Sequence, residues 1–120
     1  GSTFGGNPLA CAVAREALKV IEDENLIEKS LFMGHYLKES LRNILSPYVK
    51  EVRGMGLLIG VELKKSAGGA RKFCETLMEK GILCKETHKH VIRFAPPLTI
   101  TKEELDWALD RIESILTTHL

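Results

Sequence analysis

Leu26, Met33, Leu37, Leu41 and Ile44 recur at steps of seven, four, four and three residues, placing them on one face of a helix predicted from Leu26 to about Leu45. Ser46-Pro47 stops it, because the residue before a proline is driven out of the helical region. A first helix is expected ahead of it, from Pro8 to about Asp23. Asn7 is a good N-cap, and Pro8 at the first helical position loses no hydrogen bond. Ala10, Ala12, Ala14 and Ala17 make this helix slim enough to pack closely, and Asp23-Glu24-Asn25 separates the two.

The pattern changes at Tyr48. Val49 and Val52 read as a short strand, Arg53-Gly54-Met55-Gly56 as a kink or bulge, and Leu57 to Leu63 as a longer strand. Gly54, Gly56 and Gly60 within strand-like sequence signal close backbone approach. After a Ser66–Gly69 loop, Arg71 to Lys80 reads as a helix closed by Gly81. Ile82 to Glu86 and Val91 to Phe94 read as strands joined by Thr87-His88-Lys89-His90, and Ala95-Pro96-Pro97-Leu98 as an extended loop. Thr101 and Glu104 form a capping box for a final helix with Leu105, Ala108, Leu109, Ile112, Ile115 and Leu116 on its core face. Paired strands with segregated helices predict an α+β fold, its mostly antiparallel sheet covered on one face. A doubly wound sheet would need regular strand–helix alternation, which is missing. The order divides the chain into residues 1–45, a glycine-rich loop with connecting helices, and residues 46–120, a small α+β domain.

The 120 residues can bury an adequate core without staples. Seventeen Lys and Arg against 16 Asp and Glu give a formal charge of +1, which lacks the footprint of a nucleic-acid binder. No apolar run approaches a membrane span, and no basic-then-apolar leader opens the chain. Cys11, Cys74 and Cys84 suit neither a disulfide framework nor a zinc ribbon, so buried reduced thiols are expected.

Two segments are candidates for chemistry. The opening Gly1-Ser2-Thr3-Phe4-Gly5-Gly6-Asn7-Pro8 combines two hydroxyls, a permissive backbone and a following helix N-terminus, the parts of an anion site or of a plain tight turn. It lacks the Gly-Lys-Ser/Thr ending of a nucleotide-triphosphate loop. The second is Arg93, in an apolar strand that runs into two prolines. A guanidinium on so stiff an element suits a bidentate carboxylate, and an arginine on a solvated strand face is the alternative. Arg53 is a further possible anion contact, though Gly54 and Gly56 beside it read as serving backbone geometry. His88 and His90 are two apart but have no third ligand nearby, so they read as solvated loop residues. His35 and His119 have no neighbouring nucleophile.

Together, Gly1-Ser2-Thr3-Phe4-Gly5-Gly6-Asn7-Pro8-Leu9-Ala10, then Arg53-Gly54 with Gly56-Leu57, then Ile92-Arg93-Phe94-Ala95-Pro96-Pro97-Leu98 resemble the class III aminotransferases in order and spacing. The resemblance covers essentially the whole chain. Lys85-Glu86-Thr87-His88 ahead of the last block is most similar to the ornithine branch, with the acetylornithine and 4-aminobutyrate branches as alternatives. It implies the C-terminal small domain of a fold-type I enzyme that uses pyridoxal 5'-phosphate to move an amino group between a small amino acid and a 2-oxo acid. It further implies that Ser2 and Thr3, Thr3 above all, reach across a homodimer interface to the cofactor phosphate of the other subunit. By the same resemblance Arg93 lies beside the substrate pocket and meets a substrate carboxylate or an active-site glutamate in turn. The family's Schiff-base lysine lies upstream of the Gly-Ser-Thr segment, as do the aspartate on the pyridine nitrogen and the aromatic residue stacked on the ring. No lysine here matches that lysine, so the chain alone is expected to be inactive. A bacterial cytoplasm and a mitochondrial matrix both remain open, as does a stand-alone, non-catalytic α+β interaction module.

Overall fold

The computed structural model describes residues 1–118. In chain order they form α1 (Pro8–Asp23), α2 (Leu26–Arg42), β1 (Val49–Met55), β2 (Leu58–Leu63), a 3-10 turn (Lys65–Ala67), α3 (Arg71–Glu79), β3 (Lys85–Thr87), β4 (Val91–Phe94) and α4 (Lys102–Thr117). The four strands make one antiparallel sheet in the order β1-β2-β4-β3. Two hairpins therefore lie side by side, and β2 runs the same way as β3 with β4 between them.

Alternation along the strands decides which face is buried. Ile59, Val61 and Leu63 of β2 are buried, and their partners Val52, Ile92 and Phe94 join them. Onto this face pack Leu37 and Leu41 of α2, Phe73 and Leu77 of α3, and Leu105, Ile112, Ile115 and Leu116 of α4. Tyr48 meets Phe73 edge-on, with ring centroids 5.3 Å apart. The capping box is formed: Glu104 N donates to Thr101 Oγ1 at 3.2 Å, and Thr101 N donates to Glu104 Oε1 at 3.0 Å. Those bonds hold the Glu104 carboxyl below the usual carboxylate range.

Several boundaries differ from the sequence reading, each for a local reason. The second helix ends at Arg42, whose guanidinium donates to the Val52 carbonyl at 3.0 and 3.2 Å and ties the helix end to β1. Arg53-Gly54-Met55 is continuous strand. The turn falls at Gly56, whose φ of +54° favours glycine. Ile82 packs into the core from a loop that leaves Gly81 at φ +91°, so β3 starts only at Lys85.

The slim first helix buries no residue at all, and Leu9, Val13 and Leu18 are exposed along it. The expectation of buried thiols accordingly fails at Cys11, which lies on this helix and is exposed. Cys74 and Cys84 are half-buried.

Candidate functional site

The glycine-rich opening is a pair of overlapping turns: Gly5 N donates to the Ser2 carbonyl at 3.4 Å, and Asn7 N to the Phe4 carbonyl at 3.2 Å. Asn7 is the N-cap the sequence calls for, its Oδ1 accepting from Leu9 N at 2.9 Å and Ala10 N at 3.2 Å. The cap has a consequence for anion binding. Two of the free amides of α1 are already taken, so the loop's donor capacity rests on the Ser2 and Thr3 hydroxyls and the dipole behind them. Both residues are exposed, and neither hydroxyl has a partner among the described residues. Such a donor set fits part of a phosphate shell, with no lysine or arginine in the loop to complete it.

Arg93 stands apart from this loop. It is exposed on β4 while Val91, Ile92 and Phe94 are buried. Its side chain therefore leaves the open face of the sheet, and Ala95-Pro96-Pro97 stiffens the chain directly after it. It makes no ion pair or hydrogen bond among the described residues. Between the loop and this face stands α1, 16 residues or roughly 24 Å of helix. Within one chain, Ser2 and Thr3 do not meet Arg93 in any pocket beside the Ala95-Pro96 segment.

The other candidates have settled roles. Arg53 shares the open face with Arg93 but is paired with Glu51 at 3.1 Å and Glu62 at 3.5 Å. Lys50 reaches Glu62 at 3.3 Å, and its hydrogen bond is the main reason the Glu62 carboxyl titrates below its usual range. His88 and Lys89 form the β3–β4 turn in left-handed conformation, at φ +49° and +64°. His90 Nδ1 is buried without a partner, and no described group of His, Cys, Asp and Glu is placed to hold a metal ion. His35 lies in α2, while His119 lies outside the described residues. Cys74 and Cys84 line one small pocket. Burial pushes both thiols up, Cys84 to about 12.

Sequence reasoning missed the row in which Arg93 stands. The register pairs Arg53 with Gly60, Gly60 with Arg93, and Arg93 with Lys85, so these four residues cross the open face in one line. Alternation along each strand indicates a face, but only the strand order aligns the residues.

The chain belongs to the class-III aminotransferase family, whose model matches residues 1–116. It is 60% identical over 116 residues to an ornithine aminotransferase of Bacillus subtilis, covering 97% of this chain and 28% of that protein. A Geobacillus ornithine aminotransferase is 63% identical over 115 residues, with 96% and 28% covered. Among solved structures, the Toxoplasma gondii ornithine aminotransferase superposes with a TM-score of 0.89 at 47% identity, over 97% of this chain and 28% of that one. An acetylornithine aminotransferase from Elizabethkingia anophelis gives 0.89 at 40%, over 97% and 30%. The chain thus spans little more than a quarter of the curated relatives it matches, 28%. No described helix is long and apolar enough to cross a membrane.

Proposed function

We propose that the whole protein is an ornithine aminotransferase. It would transfer the side-chain amino group of ornithine to 2-oxoglutarate, yielding glutamate semialdehyde and glutamate. The observation that carries the reading is Arg93: an unpaired guanidinium on a rigid strand, exposed on the open face of the sheet. The names of the most similar relatives support ornithine as the donor.

In this reading residues 1–45 bring the cofactor loop and its helices, and residues 46–120 form the domain that presents Arg93. Pyridoxal 5'-phosphate, when bound, supplies the electron sink that lets an amino group leave one carbon skeleton and join another. The Toxoplasma relative is described as holding this cofactor at its active site. Thr3, with Ser2 beside it, donates a hydroxyl hydrogen bond to the cofactor phosphate. In this reading the donor serves the site of a second subunit in a homodimer. Arg93 donates through its planar fork to a carboxylate of glutamate or 2-oxoglutarate, in turn with an active-site glutamate, a geometry that fits a carboxylate better than an ammonium would. Residues 1–120 taken alone, lacking a lysine that matches the family's Schiff-base position, do not transaminate.

The near-ultraviolet and visible spectrum of the natural-length protein tests the reading. The absorption of bound cofactor should change on adding ornithine and return on adding 2-oxoglutarate. A response to N-acetylornithine or 4-aminobutyrate in place of ornithine moves the substrate to another branch of the family. No cofactor absorption even with added pyridoxal phosphate sinks the enzymatic reading. Thr3→Ala should weaken cofactor retention by about 1.5–3 kcal/mol, as for one hydrogen bond to a charged group. Unchanged retention would remove Thr3 from the site.

A further inference from the structure

The loop that joins β3 to β4 holds two residues in a backbone conformation that favours neither. His88 has φ +49° and Lys89 φ +64°, in the left-handed region where glycine or asparagine is the usual occupant. Backbone hydrogen bonds fix the loop against its neighbours: Leu63 N donates to the His90 carbonyl at 2.7 Å, and Ala70 N to the Lys89 carbonyl at 2.8 Å. Lys64 N donates to the Tyr48 carbonyl at 2.7 Å, which brings the start of β1 to the same end of the sheet. Strain kept where glycines would relieve it marks a use for the side chains.

Those side chains border a cleft of about 620 Å³. Lys50, Arg53, Lys64, Lys65, His88 and His90 line it, and Glu62 is its one carboxylate. Four cations less one carboxylate leave an excess of +3, in a chain whose formal charge is +1. Glu62 engages Lys50 at 3.3 Å and Arg53 at 3.5 Å. The Lys64 and Lys65 side chains have no ion pair or hydrogen bond among the described residues. The buried Nδ1 of His90 has no acceptor, so the ring carries its proton on Nε2, the nitrogen left in reach of solvent, as a donor. With the Arg53 fork taken by carboxylates, the free donors are ammonium and imidazole N–H groups. Such point-like donors suit a tetrahedral oxyanion, approached from several directions, better than a planar carboxylate. They stand on both sides of β2, from β1 to the β3–β4 loop, across two strand spacings or roughly 10 Å. Lysine arms close that span around two linked phosphates rather than one.

We propose that the cleft between β1, the end of β2 and the β3–β4 loop is a binding site for a diphosphate group, held by Lys64 and Lys65 with Lys50 and His88 around it. Inorganic pyrophosphate and a nucleoside diphosphate both carry that group. The site makes no use of Ser2, Thr3 or Arg93, so it stands or falls separately from the aminotransferase reading.

The test titrates inorganic pyrophosphate into the full-length, cofactor-loaded protein by calorimetry, at low and at physiological ionic strength. Binding should saturate at one per chain and weaken severalfold at the higher salt. Lys64→Gln with Lys65→Gln should raise the Kd about tenfold or more, as for lost charge-assisted hydrogen bonds. Lys29→Gln with Lys80→Gln removes the same charge from α2 and the end of α3, and should change the Kd less than about twofold. His88→Gly should leave the melting temperature unchanged or raised, because glycine accepts the left-handed backbone, and should still weaken binding. Bound pyrophosphate should shield Lys64 and Lys65, but not Lys29 and Lys80, from acetylation by acetic anhydride. A parallel titration with ADP distinguishes the sources: tighter binding makes the group that of a nucleotide, equal or weaker binding that of the inorganic anion. Absence of saturable pyrophosphate binding overturns the proposal. So does equal weakening by the two lysine pairs, which would reduce the effect to net charge. If the Lys64→Gln, Lys65→Gln protein melts lower, His88→Gly and the shielding pattern decide: unchanged affinity together with unshielded Lys64 and Lys65 overturns the site.

Discussion

Gly34 in α2 is buried, and α2 approaches the β1–β2 turn there as closely as a glycine allows. An alanine Cβ would lie 2.9 Å from the Gly56 Cα, and nearer still to its carbonyl carbon and oxygen, against 3.4 Å for ordinary contact. The obstacle is backbone, so it cannot swing aside; helix or turn must retreat by more than about an ångström to clear the carbonyl. On an isolated helix Gly→Ala would stabilise by about 1 kcal/mol. Overpacking a well-packed site costs roughly 1–3 kcal/mol, and a backbone obstacle belongs at the upper end. Retreat would also loosen Leu37 and Leu41, one and two turns further along the same helix and both in the core. The net expectation for Gly34→Ala is about 2 kcal/mol of destabilisation, opposite in sign to the propensity effect. For a domain this size that lowers the melting temperature by roughly 8 °C, readable by far-ultraviolet circular dichroism. A variant that melts at the same temperature or higher would refute the close approach, and with it the seating of α2 on the hairpin.

Phe73→Ala should cost about 3–5 kcal/mol, because the ring is fully buried, and urea unfolding should show a midpoint displaced accordingly. Thr101→Ala should cost about 1 kcal/mol through the lost cap. It should also flatten the acid limb of the stability curve. The bonds that lower the Glu104 carboxyl contribute stability present above its ordinary value of 4.5 and lost as pH falls through the depressed one. Cys84 works in the opposite direction: its folded value is raised to about 12 from 9.0, so its stabilising contribution is complete below pH 9.0 and declines as pH rises toward 12. Peptide mapping after iodoacetamide treatment near neutral pH should find Cys11 modified first and Cys84 last, and equal rates would contradict the burial of Cys84.

The starts of α1 and α4 were legible because their chemistry is local. Asn7-Pro8 and Thr101 with Glu104 carry their capping partners within three residues, and both caps are formed as the spacing dictates. The hairpin was harder to read, since Gly54 and Gly56 look alike in sequence and serve unlike ends. One permits two strands to approach, and the other turns the chain. Ile82 reads as the start of a strand because it is apolar and follows a glycine, yet it is a single core residue carried by a loop. Arg93 could be singled out from the prolines behind it, but its freedom from any ion pair could not, because that depends on where Glu51 and Glu62 lie. Both belong to the β1–β2 hairpin, at positions 51 and 62, and both turn toward Arg53. Strand order and register are long-range facts, and they turn three scattered cations and a glycine into one line across the sheet. The same dependence explains why the loop and Arg93 read as unrelated candidates within a single chain. Among the described residues the Ser2 and Thr3 hydroxyls have no acceptor and the Arg93 guanidinium no carboxylate, which is what the proposed two-subunit site would ask of each subunit.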